Sequence, residues 1–166
     1  MFTLDGIKMV VFDFDDTLYI HPTHKNTMSD EEFCKKVCTL GAKYYPPQNF
    51  SMVMKKVMDE CDRRGILMAL CSHTSFFPMS ITKIAAVKEA YGYELINLCV
   101  GDAKAKHIAL RITADSYGFC PSEVMLIDDL SLNLRDAETD GFKAASPMEI
   151  YKCEERGVLF KENLSE

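Results

Sequence analysis

An apolar run meets three carboxylates and a hydroxyl in the stretch Met9-Val10-Val11-Phe12-Asp13-Phe14-Asp15-Asp16-Thr17-Leu18. Apolar runs of this length, bounded by polar residues, indicate a buried strand, here with the acids at its carboxyl end. Asp13 and Asp15 are two residues apart, so their side chains point the same way from an extended chain. Two adjacent carboxylates repel each other unless a cation joins them or one keeps a proton. The stretch therefore predicts a metal or catalytic site, with an ordinary acidic turn as the alternative.

Length and composition indicate one globular domain, residues 1–166, because 48% of the 166 residues are hydrophobic. The formal net charge is −6, and Lys and Arg never exceed two in a row. This pattern offers no electrostatic footprint for nucleic acid. No apolar run is long enough to cross a membrane, and Asp5 and Lys8 interrupt the region where a signal peptide would be apolar. We therefore expect a cytoplasmic protein without nucleic-acid or membrane partners.

Seven cysteines are scattered along the chain without any Cys-x-x-Cys pair. This spacing favours reduced, structural thiols over a zinc site or a disulfide framework. Cys71 and Cys99 lie in apolar runs, so we expect them in the core.

Short apolar runs alternate with helical periodicity, which predicts a three-layer, Rossmann-like α/β fold: a parallel sheet with helices on both faces. The predicted strands are 8–13, 66–71, 95–100, 124–127 and 142–145. The predicted helices are 30–44, 50–64, 79–91, 104–117, 131–139 and 147–155. In the 104–117 helix we expect Ile108, Ile112 and Tyr117 to face inward, and in 66–71 a strand buried on both faces.

Polar residues follow the predicted strands at their carboxyl ends, where parallel sheets bind ligands. The set comprises Asp13 and Asp15 after the first strand, Ser72 after the second, Lys104 at the helix after the third, and Asp128-Asp129 after the fourth. A phosphoryl-transfer site needs a nucleophile, an acid/base, a hydroxyl, a cation and acids for a metal ion such as Mg²⁺. The strand ends therefore predict such a site.

In this order the motifs resemble those of the haloacid dehalogenase-like (HAD-like) phosphatase superfamily. The first signature is similar to Asp13-Phe14-Asp15-Asp16-Thr17, the second to Ser72, the third to Lys104 and the fourth to Asp128-Asp129-x-x-x-Asn133. The similarity spans residues 8 to about 145. Within the superfamily, Cys71-Ser72-His73-Thr74-Ser75 and Lys104-x-x-His107-Ile108 resemble the magnesium-dependent phosphatase-1 type, which has no cap domain.

The resemblance implies Mg²⁺-dependent hydrolysis of a phosphate monoester, either a phosphoprotein or a small ester. Asp13 would form an aspartyl-phosphate, and Asp15 would act as general acid and then as general base. Dehalogenating relatives lack a carboxylate at the position of Asp15, so its presence favours phosphate esters. The remaining implied roles are orientation of the loop by Thr17; phosphate contacts from Ser72 and Lys104; a substrate contact from His73; Mg²⁺ ligation by Asp13, the Asp15 carbonyl and Asp129; and support of the ion's ligands by Asp128 and Asn133.

Several alternatives stay open at this point. Lys106 begins the same predicted helix as Lys104, and Thr74 is a second hydroxyl close to Ser72. We interpret His21 and His24 as loop residues, with metal ligation or a substrate contact as alternatives.

Residues 18–64 form a flap followed by helices, too short for a large cap domain but long enough for a minimal cap.

Phe76-Phe77 either line the mouth of the pocket or pack under a helix. A non-catalytic Mg²⁺- or phosphate-binding module and a mutase are the rival functions.

Overall fold

The computed structural model describes residues 2–22, 28–101 and 105–160. Five strands form one sheet: β1 (Met9–Phe12), β2 (Leu67–Leu70), β3 (Ile96–Asn97), β4 (Val124–Ile127) and β5 (Lys143–Ala145). Every neighbouring pair is parallel, and the order across the sheet is β3-β2-β1-β4-β5. The predicted α/β fold with a parallel sheet is confirmed.

Helices cover both faces of this sheet. They are α1 (Asp30–Leu40), α2 (Met52–Arg64), α3 (Phe77–Tyr91), α4 (Lys106–Tyr117), α5 (Ser131–Thr139) and α6 (Pro147–Glu155). Residues of α2, α3 and α6 pack with Val10 and Phe12 of β1, whereas residues of α4 and α5 pack with Met9 and Val11. Because successive strand residues point to opposite faces, the continuously apolar β1 is buried between both layers.

β1 lies at the centre of the sheet and determines where a ligand can bind. The chain runs outward through β2 and β3, then crosses over to β4 on the other side of β1. Phe12 is in register with Leu70 on one side and Ile127 on the other. The residues that follow these three strands therefore emerge side by side at a topological switch point, the usual ligand site of such sheets.

The orientation of α4 differs from the prediction. Ile108, Ile112 and Tyr117 are 51%, 62% and 46% exposed, so the expectation that they face inward is wrong. The buried residues are instead Lys106, Leu110 and Ala114. Positions 106, 110 and 114 share one face of a helix, and a residue two positions further on lies about 200° around it. The contacts of Lys106 described below therefore turn both isoleucines outward.

β2 is less buried than predicted at its first two residues. Leu67 is 36% exposed and Met68 is half-buried, whereas Ala69 and Leu70, which point to opposite faces of the sheet, are both fully buried. The reason is that β3 pairs only with Ala69 and Leu70. The first half of β2 therefore has a neighbouring strand on one side alone.

The segment between β1 and β2 contains α1, a 3₁₀ turn over Gly41–Tyr44, and α2. Ser29 caps α1 by accepting a hydrogen bond from the Glu32 backbone N–H at 3.2 Å. The α-helix ends at Leu40, so the last part of the predicted helix 30–44 is the 3₁₀ turn instead. The idea that residues 18–64 act as a minimal cap stays a prediction.

The seven cysteines are free thiols, with Cys71 buried and Cys99 half-buried. In the described part of the chain no helix has the length and apolar character needed to cross a bilayer.

Candidate active site

Phe14 anchors the loop that carries the acids. Its ring is fully buried, with the ring centroids of Tyr19, Tyr45 and Phe50 at 5.7, 4.8 and 5.9 Å. Because side chains alternate along an extended chain, the burial of Phe14 turns Asp13 and Asp15 towards the ligand-binding edge of the sheet. The sequence pattern of one aromatic residue between two acids therefore has a direct structural consequence.

A turn at Asp16 brings His21 back to the acids. Asp16 has φ 53, a left-handed conformation that Asp adopts more readily than most residues. Its carboxylate accepts a hydrogen bond from the His21 backbone N–H at 3.1 Å, and His21 Nε2 lies 2.8 Å from Asp15 Oδ1. His21 thus contacts an acid of the site. His24 lies outside the described residues.

Lys106 joins the acids of two strands. Its Nζ lies 2.5 Å from Asp13 Oδ1 and 2.7 Å from Asp128 Oδ2, and all three residues are buried. Burial raises the pKa of Asp13, against the opposing effect of the Lys106 charge. Burial alone would lower the pKa of Lys106, but the two carboxylates outweigh it and hold that pKa above its ordinary value. Lys104, to which the sequence assigned this position, lies outside the described residues.

Asp128 is held by donors on both carboxylate oxygens. Asn133 Nδ2 donates to Oδ1 and Oδ2 at 3.0 Å, and the Leu130 backbone N–H donates to Oδ1 at 2.9 Å. Asp129 is exposed beside it. Partial burial and the neighbouring Asp128 charge raise the pKa of the Asp129 carboxyl. The fourth motif therefore presents one fully bonded acid and one accessible acid.

Three of these acids offer carboxylate oxygens, the ligands that a hard metal ion prefers. One carboxylate oxygen each from Asp13, Asp128 and Asp129 lies within 4.8 Å of the other two. Oxygen donors at this spacing suit Mg²⁺, which binds one or a few carboxylates and completes its coordination with water and phosphate. Burial raises the pKa of both Asp13 and Asp129, and the neighbouring Asp128 charge adds to the shift; a divalent cation would offset this repulsion. The residues present thus fit the predicted ion.

Lys83 of α3 is the site residue that the sequence analysis missed. It is 2% exposed, and its Nζ lies 2.6 Å from Asp15 Oδ2, 2.7 Å from Ser72 Oγ and 3.3 Å from the His73 carbonyl oxygen. The ammonium also lies 4.9 Å from the ring centroid of Phe14. A signal was present, because Lys83 occupies the buried stripe of α3 between Met79 and Val87.

The pKa of Asp15 reflects these contacts. Burial alone would raise it, but the hydrogen bond from His21 and the charge and hydrogen bond of Lys83 outweigh burial and lower it to about 2. The same contact with Asp15 raises the pKa of His21. Asp15 is therefore a carboxylate in the ligand-free site.

The other predicted site residues differ in whether they contact the acids. Ser72 is fully buried and contacts both Asp15 and Lys83, whereas its alternative Thr74 donates its backbone N–H to Val100. His73 Nε2 lies 3.0 Å from the Gly101 carbonyl oxygen. Thr17 is fully buried, and among the described residues its hydroxyl has no hydrogen-bond partner.

A cavity of about 240 Å³ lies beside the acids and is lined by Asp13, Asp15, Asp16, His73, Lys106, Asp129, Leu130 and Asn133. A larger cavity of about 460 Å³ lies between α6 and β5. Its two acids, Asp5 and Glu149, already bond to Arg64 and Ser146. We place the candidate site in the smaller cavity, because that is where the acids and Lys106 converge.

By sequence, the chain matches no family model and no curated protein. Solved structures are informative. A HAD-superfamily hydrolase of subfamily IA from Geobacter sulfurreducens is similar with a TM-score of 0.53 and 14% identity, over 85% of this chain and 87% of that one. The chain has a HAD-like fold.

Two further similar structures contain a bound ligand or metal ion. CbbY from Rhodobacter sphaeroides, in complex with xylulose-(1,5)bisphosphate, has a TM-score of 0.56 and 14% identity, over 84% of this chain and 85% of that one. The N-terminal part of a Bacteroides fragilis protein, containing a phosphatase domain complexed with Mg, has a TM-score of 0.56 and 13% identity, over 96% of this chain and 41% of that one. At this identity the similarity establishes the HAD-like fold.

Proposed function

We propose that the protein hydrolyses phosphate monoesters with Mg²⁺ through an aspartyl-phosphate on Asp13. The observation that carries the proposal is the convergence of Asp13, Asp128 and Asp129 on one point beside Lys106, at the switch point of a HAD-like sheet. Two carboxylates that follow different strands and an ammonium from α4 have no need to meet for folding alone, because burying them costs free energy.

Asp13 is suited to be the nucleophile. Lys106 binds its Oδ1, so Oδ2 can attack phosphorus while the bond to the leaving oxygen breaks. Two N–H groups of Lys106 are directed at Asp13 and Asp128, and the third can donate to a phosphoryl oxygen. We therefore assign the cationic role in this proposal to Lys106, the alternative to Lys104.

Asp15 is suited to move the proton. In the first step Asp15 passes a proton to the leaving oxygen. Because the resting carboxylate is ionised, it first takes this proton from a phosphate monoanion or from protonated His21. In the second step it accepts a proton from the water that attacks the aspartyl-phosphate, and Asp13 is released with inorganic phosphate. The low pKa of Asp15 keeps the resting group ionised, which is the protonation state that the second step requires.

Ser72 is suited to bind phosphate through its hydroxyl. It accepts a bond from Lys83 at 2.7 Å, and its own contacts to Asp15 and the His73 carbonyl are both 3.4 Å. Hydroxyl bonds are normally about 2.7–2.8 Å long, so the Ser72 proton remains available to a closer acceptor.

Mg²⁺ would be held by Asp13, Asp129 and the Asp15 carbonyl, with Asp128 and Asn133 orienting these groups, and would neutralise charge on the phosphoryl oxygens. The Mg complex of the Bacteroides fragilis phosphatase domain and the bisphosphate complex of CbbY support this assignment by fold analogy. The proposed substrate is a small phosphate ester or a phosphoprotein.

The test is hydrolysis of p-nitrophenyl phosphate with and without Mg²⁺ by the wild type and by Asp13→Asn. We expect Mg²⁺-dependent turnover that is lost in Asp13→Asn, with a fall of at least about 10³-fold because the amide is a poor nucleophile. Asp62→Asn, an exposed position on α2, is the matched control and should retain activity. Turnover that survives Asp13→Asn would contradict the mechanism.

A further inference from the structure

We propose that Lys83 is a positioning residue, which holds Asp15 and Ser72 in the orientation that proton transfer requires. This inference rests on the proposed function, because it concerns the residue assigned there as acid and base. It adds a second lysine to the site, from a different helix than Lys106 and on the opposite side of β1.

The contacts of Lys83 account for all three of its N–H groups. They point to Asp15 Oδ2 at 2.6 Å, Ser72 Oγ at 2.7 Å and the His73 carbonyl oxygen at 3.3 Å. An ammonium has three donors, and since Lys106 but not Lys83 lines the cavity of about 240 Å³, the donors of Lys83 are directed at its neighbours. Lys83 therefore acts through its neighbours, in contrast to Lys106, which has a donor to spare.

These contacts join groups that follow two different strands. Asp15 follows β1 and Ser72 follows β2, and Lys83 is the side chain that bonds to both. Because the two partners come from different strands, the bonds define the position of the carboxylate relative to the hydroxyl. A misplacement of about 1 Å in a reacting group can cost about 10²-fold in rate.

The placement of Lys83 also argues against an incidental surface role. Lys83 is 2% exposed, and its side chain projects from the buried stripe of α3, where apolar residues would ordinarily contribute packing. Taking an ammonium out of water is costly unless its partners satisfy it. Phe14, whose ring centroid lies 4.9 Å from Nζ, lines the remaining side of the ammonium.

The experiment is a double-mutant cycle of Lys83→Met and Asp15→Asn, measured as kcat and KM for p-nitrophenyl phosphate with saturating Mg²⁺. We expect Lys83→Met to lower kcat by about 10²-fold in the wild-type background with little change in KM. In the Asp15→Asn background the same substitution should lower kcat by less than about 3-fold, because the group it positions is already lost. Lys83→Arg should recover part of the activity by restoring bonds to Asp15.

Folding is monitored separately by circular dichroism and thermal unfolding. Lys83→Met leaves the Asp15 carboxylate without its buried cation, and the double variant removes both charges, so the double variant serves if the single one is unstable. Lys88→Met is the control on α3, since Lys88 is exposed and pairs with Glu94. It should match the wild type.

The outcomes separate the inference from the proposed function. Equal losses of kcat in both backgrounds would show a merely structural role and overturn the inference, as would an unchanged or raised kcat in Lys83→Met. If Asp15→Asn by itself leaves kcat unchanged, the acid/base role of Asp15 fails, and with it the proposed mechanism. A loss confined to KM would instead make Lys83 a substrate-binding residue and also overturn the inference.

Discussion

The candidate site has two halves, each built around a buried lysine. In the Lys106 half, the ammonium lies between Asp13 and Asp128, with Asn133 and Asp129 beside them. In the Lys83 half, the ammonium lies between Asp15 and Ser72, with His21 on the outer side of Asp15. One half joins β1 to β4, and the other joins β1 to β2.

The halves differ in charge balance, and this difference suggests where chemistry and where positioning take place. In the Lys106 half three carboxyl groups lie close together and one ammonium pairs with two of them, an excess of acidic groups that a divalent cation would offset. In the Lys83 half one carboxylate meets one ammonium and a histidine. The Lys106 half therefore calls for an ion, whereas the Lys83 half is neutralised by the protein itself.

The largest loss of activity is expected for Lys106→Met. Removing the charge beside the nucleophile should lower kcat/KM by about 10²–10³-fold. It leaves two buried carboxylates without their cation, which should cost about 3–5 kcal/mol of stability, so activity is scored on folded protein. Lys104→Met, measured in parallel, should lose less activity. A greater loss in Lys104→Met would contradict the assignment of Lys106.

Mg²⁺ binding should distinguish the two halves, because it should stabilise the Lys106 half alone. At about 100 times its Kd, a ligand of the native state contributes about 2.7 kcal/mol, which corresponds to roughly 5–10 °C in Tm for a chain of this size. Asp129→Asn should reduce this shift, and Lys83→Met should retain it. The shift should also weaken at acid pH, since the raised pKa values of Asp13 and Asp129 let protons compete with the ion. An equal loss of the Mg²⁺ shift in both variants would contradict the division into halves.

The smallest effect is expected at His21, on the exposed side of the Lys83 half. Asp15 is ionised down to its pKa of about 2, and the pKa of His21 is raised by that partner. The pair therefore stabilises the fold below the ordinary His pKa, and this contribution is lost as pH rises through the raised value. His21→Ala should lower Tm more at about pH 5.5 than at about pH 9, by roughly 2–4 °C at most for a half-exposed pair. Thermal unfolding without Mg²⁺ measures it; an equal loss at both pH values would contradict the ion pair.

Local pattern was sufficient to predict one half of the site better than the other. Asp13, Asp128 and Asn133 lie in motifs of a few residues at strand ends, and the structure brings them together. Lys83 was missed because it lies eleven residues after Ser72 in the middle of a helix, outside any motif. Its only signal was a charge in a buried stripe, and that signal does not identify a partner.

The sequence by itself determined the order of strands and helices, the acids at the end of β1 and β4, and hence the edge of the sheet that carries the site. These features follow from the spacing of apolar residues and from alternation along a strand, both of which are local. Three features were decided only by the tertiary structure. Lys106 faces Asp13, Ile108 and Ile112 consequently lie on the exposed side of α4, and Lys83 contacts Asp15. Each depends on which distant charges must be neutralised when they are buried, and that pairing exists only once the strands are assembled.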